Sequence, residues 1–476
     1  MNKAICFLVS CMFGCLAGFA ADNPKSVLQT YTAPAGVALN TDYTVKVRLS
    51  GKAWQTLPVY LVKVDEVKNA DHHTENASMA YFDFEGEVEV AVTWRKGAVK
   101  TARVRPLSYN IGHRMEGETI HFKLSQPANL SVEVNNDLFH NLHLFANPVL
   151  KMELNRKDTN LIYFGPGVHE IPGQALAVPS GKTVFVAGGA VLKGQLLVQN
   201  VSHVRILGSG MVDQSIKMGI RIANSKNVLV EGLFATQCFT GGSDSVTIRN
   251  VKVISYYGWG DGMNVISSRN VKIDRVFNRN SDDCTTVYGT RMGFTGGCSN
   301  IVMENSTLWA DVGHPILIGT HGNTPHPDTL ENINYHNIDI LDQKEQQLDY
   351  QGCMSINAGD NNLVRQVRFE NVRVENFRQG QLLNIRVFYN RKYCTSPGQA
   401  IEDILFKDVS YEGTNAEISI IAGYNEERKV KNIRFENLVI NGVKITDSMK
   451  NKPRWFKTAD MAGIFVGEHV EGVVFE

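Results

Sequence analysis

The chain has 476 residues, with 48 basic and 48 acidic side chains and a formal net charge of +0. This balance, without any block of like charge, argues against a nucleic acid or an anionic membrane surface as partner. The length exceeds that of one ordinary hydrophobic core, and it predicts two domains or an elongated repeat array. The sequence has features of both.

The first residues have the pattern of a secretory signal peptide. A short basic start is followed by an apolar run from Ala4 to Ala17 and by small residues up to Ala20. The run is shorter than the roughly 20 apolar residues that a membrane span needs, which favours cleavage after Ala20 over a retained anchor. We therefore expect residues 1–20 to be a signal peptide and the protein to be secreted or periplasmic, with no membrane span.

The cysteines beyond this segment predict no disulfide framework. Their odd number and their spacings match neither a set of bridges nor a metal site. One bridge between Cys284 and Cys298 stays open, and buried free thiols are expected for the others. The five are Cys238, Cys284, Cys298, Cys353 and Cys394.

Residues 25–147 are predicted to form an antiparallel β-sandwich. Short runs such as Thr44–Leu49, Val88–Trp94 and Leu130–Val134 alternate apolar and polar residues with period two, as strands with one buried face do. Helical periodicity is almost absent, which favours an all-β domain. His72 and His73 lie in a polar stretch that we expect to be a solvated loop and not a metal site.

Residues 148–476 repeat a different pattern and are predicted to form a parallel β-helix. Asn residues alternate with apolar pairs, as in Asn300–Leu308, Val367–Val374 and Ile433–Ile440, with a spacing typical of a solenoid. The short strands and turns leave no room for the helical half of a leucine-rich repeat. Asn tolerates left-handed backbone at the corners, and its side chain can form hydrogen-bonded ladders.

Three carboxylates recur beside the strands of neighbouring repeats. Asp261 precedes the adjacent pair Asp282 and Asp283 by one repeat, and His314 occupies the corresponding place in the next repeat. On a stacked scaffold these groups would share one ridge. Converging carboxylates repel each other, so at least one keeps its proton near neutral pH. That separates a general acid from a general base, as hydrolysis of a glycosidic bond requires.

The three motifs resemble those of the β-helical glycoside hydrolases. Gly260–Gly262, Ser281–Cys284 and Gly313–Gly319 are similar to the motifs of the polygalacturonases of family 28 and the dextranases and isopullulanases of family 49. The leading β-sandwich resembles family 49 more closely. The resemblance implies a right-handed parallel β-helix solenoid as the catalytic domain, following an N-terminal antiparallel β-sandwich.

The resemblance also implies roles for the aspartates. Both families invert the anomeric carbon, so Asp282 is expected to be the general acid, and Asp261 and Asp283 the bases that hold and activate water. No cofactor and no metal are expected. Inverting enzymes separate acid and base by about 6.5–9.5 Å, and we expect about two coils, each roughly 4.8 Å in rise, to supply this gap.

Residues near the motifs are candidates for substrate binding. His314 resembles the histidine that polygalacturonases place beside the acid, with a packed turn histidine as the alternative. Trp259 and Tyr288 are candidates for stacking on sugar rings.

The sequence also indicates whether the substrate sugar is acidic or neutral. Polygalacturonases bind the uronate carboxylate with an Arg-Ile-Lys motif, which has no counterpart in the segment Tyr350–Ile356; Arg386 on the following coil is a candidate replacement. This absence weakens galacturonan as the substrate. The resemblance to family 49 implies instead that the polysaccharide or oligosaccharide substrate is a neutral, dextran-like α-glucan, with a pectin-type galacturonan as the alternative.

Two functions from other classes stay open. A polysaccharide lyase would hold calcium on Asp282 and Asp283 and use Arg279 or Arg291 as its base. A non-catalytic glycan-binding or adhesin solenoid would keep its function without the carboxylate of Asp282. An unsaturated product and sensitivity to chelators would identify the lyase, and full function of the Asp282→Asn variant would identify the binder.

Overall fold

The computed structural model describes residues 26–69, 71–152 and 154–476, so the expected signal peptide lies outside the described residues. Regular structure in these residues is almost entirely β-strand. The exceptions are a 3-10 helix, Leu107–Tyr109, and one short α-helix, Thr458–Met461. No helix in this part of the chain is long and apolar enough to cross a membrane.

The first eleven strands form two sheets. Five strands make one sheet in the order β3-β2-β6-β9-β8, and six make the other in the order β1-β5-β11-β10-β7, with β4 also paired to β5. β11 runs parallel to β5, whereas the other pairs in these two sheets are antiparallel, as the sequence predicts. The strands are β1 Val27–Gln29, β2 Tyr43–Leu49, β3 Gln55–Leu57, β4 Tyr60–Lys68, β5 Asp71–Glu85, β6 Val88–Trp94, β7 Ala102–Arg105, β8 His113–Glu116, β9 Thr119–Leu124, β10 Ala128–Val134 and β11 Leu142–Pro148.

The alternating apolar residues of both sheets meet in one core, which makes these strands a sandwich. Val45 and Val90 from the five-stranded sheet pack in the same buried cluster as Phe82, Leu130 and Leu144 from the six-stranded sheet. The expectation of a solvated loop at His72 and His73 is wrong, because both residues lie in β5, paired with β4. His72 Nδ1 lies 2.5 Å from Asp65 Oδ2, so its partner is a carboxylate of the neighbouring strand.

The remaining strands form a single 29-stranded sheet that winds into the β-helix, with a small two-stranded sheet beside it. The strands of the β-helix in its N-terminal half are β12 Leu161–Phe164, β13 Gly167–Ala177, β14 Thr183–Val186, β15 Ala190–Gln199, β16 Ser202–Gly208, β17 Met211–Val212, β18 Ile220–Ala223, β19 Lys226–Glu231, β20 Phe234–Ala235, β21 Cys238–Gly241, β22 Asp244–Arg249, β23 Lys252–Ile254, β24 Met263–Ile266, β25 Arg269–Asp274, β26 Phe277–Asn280 and β27 Thr285–Tyr288.

The C-terminal half continues in the same way. Its strands are β28 Cys298–Ala310, β29 Ile316–Gly319, β30 Thr329–Asp342, β31 Met354–Ala358, β32 Leu363–Val374, β33 Gly380–Gln381, β34 Leu383–Val387, β35 Ala400–Tyr411, β36 Ala416–Glu417, β37 Ser419–Ala422, β38 Val430–Glu436, β39 Leu438–Ile440, β40 Val443–Ile445, β41 Ile464–Val466 and β42 Val470–Phe475. Strands β33 and β36 form the two-stranded sheet.

Each coil stacks in parallel register on the next, because equivalent inward residues are apolar. One column of such residues runs Val246, Val271, Ile301, Ile333 and Val367, and all five are buried. Burial against the neighbouring coil is what stabilises each coil, as in other solenoids. The five cysteines of the described residues are buried and free, so the bridge between Cys284 and Cys298 does not form.

The outer surface of the six-stranded sheet packs against the β-helix. Tyr81 and Phe145 of the sandwich share a buried cluster with Phe234, Phe277 and Trp309 of the β-helix. Phe145 contacts two of these rings, with centroid distances of 5.4 Å to Phe234 and 5.2 Å to Phe277. The sandwich therefore lies against the coils that carry the aspartate motifs.

Candidate active site

The aspartate motifs occupy equivalent positions on consecutive coils. Met263 pairs with Thr285, and Thr285 pairs with Ile316. Asp261, Asp283 and His314 each lie two residues before one of these paired residues, so parallel register aligns all three. The predicted ridge is present, and Asp282 adjoins it at the middle coil.

The three carboxylates converge more closely than expected. One oxygen atom from each of Asp261, Asp282 and Asp283 lies within 4.8 Å of one from each of the others. The predicted separation of two coils is wrong, because the acids lie on adjacent coils whose rise is only about 4.8 Å. These oxygens are also close enough to share one cation, although calcium usually takes six to eight oxygen ligands.

Glycines around the aspartates leave the space that this convergence needs. A Cβ atom on Gly313 would lie 2.8 Å from Asp283 Oδ1 and 3.1 Å from Asp282 Oδ1. Gly313 also has a φ of +76°, a conformation that favours glycine. Glycine at position 313 of the sequence motif is therefore required by close approach as well as by the turn.

Asp283 and Asp261 are held by hydrogen bonds. Asp283 Oδ1 accepts from the backbone N–H of His314 at 2.9 Å and lies 2.8 Å from His314 Nδ1, while Asp283 Oδ2 accepts from the Tyr288 hydroxyl at 3.2 Å. Asp261 Oδ2 accepts from Asn264 Nδ2 at 2.7 Å. These two carboxylates thus have fixed orientations.

Asp282, unlike the other two aspartates, is held by no side-chain donor among the described residues. Its Oδ1 accepts the backbone N–H of Asp283, at 3.0 Å. Burial, followed by the charges of Asp261 and Asp283, raises the pKa of Asp282 well above its usual range. Burial and the charge of Asp283 raise the pKa of Asp261 to about 7. The three groups therefore cannot all be ionised at neutral pH.

His314 is packed beneath the carboxylates. It is 1% exposed, and the ring of Tyr350 meets its ring edge-on at a centroid distance of 4.7 Å. Burial lowers the pKa of His314, but the charge of Asp283 and the hydrogen bond to it outweigh this effect, so the pKa is raised overall. Its Nε2 has no hydrogen-bond partner within the described residues.

A cavity of about 490 Å³ opens over this cluster. Its lining includes the three aspartates, His314, Tyr288 and Trp259. Tyr288 is buried, and its hydroxyl contacts Asp283, whereas Trp259 is 82% exposed at the cavity rim. A larger hollow of about 950 Å³ lies on the sandwich, but it contains none of these carboxylates, so the chemistry identifies the smaller cavity as the candidate site.

Arg386 is the predicted site residue that the structure does not bring to the cavity. It is absent from the lining, and its Nη1 donates to the backbone carbonyl of Asp349 at 2.8 Å. The cations that do line the cavity are Arg291 and Lys392. Arg291 was considered in the sequence only as the base of a lyase.

Other lining residues come from the long insertions. Glu345, Gln347, Tyr350, Lys392 and Tyr393 belong to the irregular segments 342–352 and 389–399. The Tyr393 and Tyr350 rings stack with a centroid distance of 4.7 Å, and the Tyr393 hydroxyl donates to Gln347 Oε1 at 3.0 Å. The uneven coil length indicated that ligands bind near these insertions, but it could not indicate which side chains reach the cavity.

Comparisons with known proteins agree with this architecture. Residues 189–460 match the family described as glycosyl hydrolases family 28. The chain is similar to a probable endo-xylogalacturonan hydrolase A of Neosartorya fischeri, with 26% identity over 170 residues, which are 35% of this chain and 38% of that relative. The match thus spans less than half of the relative's length.

A solved structure that aligns over nearly the whole chain shares the fold. Dex49A from Penicillium minioluteum aligns over 94% of this chain and 96% of its own, with 13% identity and a TM-score of 0.59. The family 28 exopolygalacturonase of Yersinia enterocolitica aligns over 81% of this chain and 96% of its own, with 12% identity and a TM-score of 0.47. Since the family match covers more than half of the sequence and the β-helix carries it, this chain belongs to glycosyl hydrolases family 28.

Proposed function

We propose that the enzyme hydrolyses a glycosidic bond with inversion, with Asp282 as general acid and Asp261 and Asp283 as the pair that holds the attacking water. The observation that carries this proposal is the convergence of the three carboxylates, of which Asp283 and Asp261 are held by side-chain donors while Asp282 is not and has a pKa well above its usual range. Asp282 retains a proton that it can give to the leaving oxygen. Asp283 and Asp261 are oriented as acceptors by His314, Tyr288 and Asn264.

The close spacing is compatible with a bound water. A water molecule that donates to two carboxylate oxygens at about 2.8 Å each can bridge atoms up to about 5.5 Å apart, and Asp261 and Asp283 fall within that limit. The water attacks the anomeric carbon as the bond to the leaving oxygen breaks. One carboxylate of the pair takes a proton from the water, and Asp282 gives its own to the leaving group. A spacing near 5 Å is also typical of retaining enzymes, so the anomer of the product is the decisive readout.

The cations favour an acidic sugar over the neutral glucan that the sequence favoured. Within the described residues, Arg291 makes no side-chain hydrogen bond or ion pair. Lys392 makes no ion pair with them either, and its Nζ lies 3.4 Å from Gln347 Oε1 and over the Tyr393 ring. Unpaired cations beside a sugar site suit a substrate carboxylate. We therefore propose a polymer that contains uronate, in keeping with the xylogalacturonan named for the similar Neosartorya protein.

The first test uses a panel of polysaccharides that includes polygalacturonate, xylogalacturonan, dextran and pullulan. Proton NMR should show the inverted anomer from an acidic member, and Asp282→Asn should lower kcat by roughly 10²- to 10⁴-fold while substrate binding persists. Asp349→Asn, an exposed aspartate outside the cavity, is the matched control and should keep wild-type turnover. Retained anomer would refute inversion. An unsaturated, chelator-sensitive product would establish the lyase, and full function of Asp282→Asn would establish the binder.

The second test addresses the sugar. Arg291→Gln should raise KM for the acidic substrate roughly tenfold, because a charge-assisted hydrogen bond is worth about 1.5 kcal/mol or more. Arg386→Gln removes an arginine that lies outside the cavity and should leave KM unchanged. If the enzyme cleaves dextran and Arg291→Gln leaves the KM for dextran unchanged, the substrate is the neutral glucan instead.

We also propose that the enzyme is exported after removal of residues 1–20, a proposal that rests on the sequence alone. N-terminal sequencing of protein recovered from the medium or the periplasm should begin near Ala21. Recovery of the intact N-terminus from the cytoplasm would contradict it.

A further inference from the structure

An arginine of the catalytic coil is buried on the side that meets the sandwich. Arg279 lies three residues before Asp282 and is 0% exposed. Its Nε and Nη2 donate to the two carboxylate oxygens of Asp311, at 2.8 and 3.1 Å, and its guanidinium lies 4.0 Å from the centre of the Trp309 ring. Arg279 thus joins the coil of Asp282 and Asp283 to the coil of His314.

The segment from Asp311 to His314 is directly coupled to the catalytic carboxylates. The Asp311 N–H donates to the Asn280 carbonyl at 2.8 Å, and the Cys284 N–H donates to the His314 carbonyl at 2.8 Å. His314 in turn holds Asp283. Since the space around Gly313 is too small for a Cβ atom, a displacement of Asp311 by a few tenths of an ångström would be felt at both carboxylates.

The sandwich supplies the remaining partners of Arg279. Asn141, just before β11, accepts from Arg279 Nη1 through its Oδ1 at 2.9 Å, and His143 Nε2 lies 3.4 Å from the same nitrogen. Asn141 is itself fixed, because its Nδ2 donates to Ser131 Oγ at 2.8 Å. Asn141 and His143 are both 0% exposed.

The histidine is suited to accept this hydrogen bond. His143 Nδ1 lies 3.1 Å from the Ser78 carbonyl, which can only accept, so Nδ1 carries the proton and Nε2 has a free lone pair. Burial, with the charge of Arg279, lowers the pKa of His143 to about 3. The ring therefore stays neutral at the pH values at which the enzyme would work.

We propose that Asn141 and His143 are positioning residues of the active site, through which the sandwich orients Arg279, and with it Asp311 and His314, beneath Asp282 and Asp283. This inference rests on the catalytic roles proposed above. Each N–H group of a buried guanidinium needs a hydrogen-bond acceptor within the protein. Without Asn141, Nη1 would lose its best acceptor, and the guanidinium would shift to find another.

The far end of β11, which Asn141 precedes, provides a matched control. Asn147 in β11 also accepts from a buried cation of the β-helix, Lys252, whose Nζ further donates to the Asn250 carbonyl and to Asn250 Oδ1, each at 2.8 Å. None of these described contacts involves residues 280–284 or 311–314. Asn147→Ala therefore removes a similar contact between the sandwich and the β-helix without touching the catalytic segment.

The experiment compares Asn141→Ala with Asn147→Ala in the full-length enzyme. Both should lower Tm, whereas Asn141→Ala alone should lower kcat, by roughly tenfold, since small misplacements of catalytic groups carry penalties of this size. KM should stay within about twofold of wild type, because neither residue lines the cavity. If Asn141→Ala fails to fold, Asn141→Ser, which is too short to reach Arg279, takes its place.

Failure of this inference can be distinguished from failure of the proposed catalytic roles. Equal kcat values for the two variants would overturn the inference, and so would a normal kcat in a folded Asn141 variant. If Asp282→Asn retains turnover, the proposed catalytic roles fail instead, whatever the Asn141 variants do.

Discussion

Asp282 differs from Asp261 and Asp283 in its hydrogen bonds, and that difference divides the proposed chemical roles. Asp283 is bound by His314 and Tyr288, and Asp261 by Asn264. Such bonds stabilise a carboxylate in its charged form. Asp282 has one backbone donor, and after burial its pKa is raised by the charges of Asp261, Asp283 and Glu345. The rise in the pKa of Asp261, caused by burial and the charge of Asp283, is partly offset by the charge of Arg291. Protonation of Asp282 therefore relieves repulsion from three carboxylates.

Glu345 offers a way to test this electrostatic assignment by pH. Its charge adds to burial and to the charges of Asp261 and Asp283 in raising the pKa of Asp282, and it also raises the pKa of His314. Glu345→Gln should lower both pKa values, so the general acid loses its proton at a lower pH. The alkaline limb of kcat/KM should move to lower pH by about half a unit, a coupling below 1 kcal/mol.

Asp349→Asn is the control, because Asp349 lies in the same insertion but outside the cavity lining. Its pH profile should match that of the wild type. An alkaline limb that stays in place or moves to higher pH in Glu345→Gln would show that Asp282 is not the acid that this limb reports.

At the scale of elements, the corners of the coils depend on asparagine. Asn300 Nδ2 donates to Asn270 Oδ1 at 2.9 Å, and Asn332 Nδ2 donates to Asn300 Oδ1 at 2.7 Å. All three residues have positive φ, between 53° and 57°. The predicted ladder is therefore present. In it, the preference of asparagine for positive φ is combined with hydrogen bonds between the stacked asparagine side chains.

Two substitutions at Asn300 should separate these contributions. Asn300→Gly loses the ladder but tolerates positive φ, whereas Asn300→Ala loses the ladder and also pays about 1–2 kcal/mol for left-handed backbone. Alanine should therefore lower Tm more than glycine does, although glycine carries its own entropic penalty of about 0.5–1 kcal/mol. Equal Tm values, or a less stable glycine variant, would mean that corner conformation contributes little.

The same elements explain what the sequence could and could not predict. Asp261, Asp282, Asp283 and His314 follow regular strands, so register aligns them once the coils are recognised. Arg291, Glu345 and Lys392 lie in irregular segments, where the direction of a side chain depends on packing such as the Tyr350–Tyr393 stack. Arg386 was placed at the site from its coil alone, but its backbone partner at Asp349 holds it elsewhere.

At the scale of the whole molecule, the sandwich and the β-helix share a buried surface that contains both aromatic rings and ion pairs. Buried Arg105 donates hydrogen bonds both to Glu133 of the sandwich, at 3.0 Å, and to Glu375 of the β-helix, at 2.7 Å. Removing one partner of such a pair by mutation leaves an uncompensated buried charge, which costs about 3–5 kcal/mol, so the contact between the two parts of the chain keeps these charges paired. The two parts of the chain should therefore stabilise each other strongly.

We accordingly expect calorimetry to detect one unfolding transition, although proteins with more than one domain often unfold in steps. Phe82 lies in the core of the sandwich, and Phe145 lies between the sandwich and the β-helix. Replacing either by alanine should cost about 3–5 kcal/mol and shift the whole transition to lower temperature. A Phe82→Ala variant in which only part of the heat absorption moves would show that the sandwich unfolds independently, and the coupling of the sandwich to the aspartates would then lose its mechanical basis.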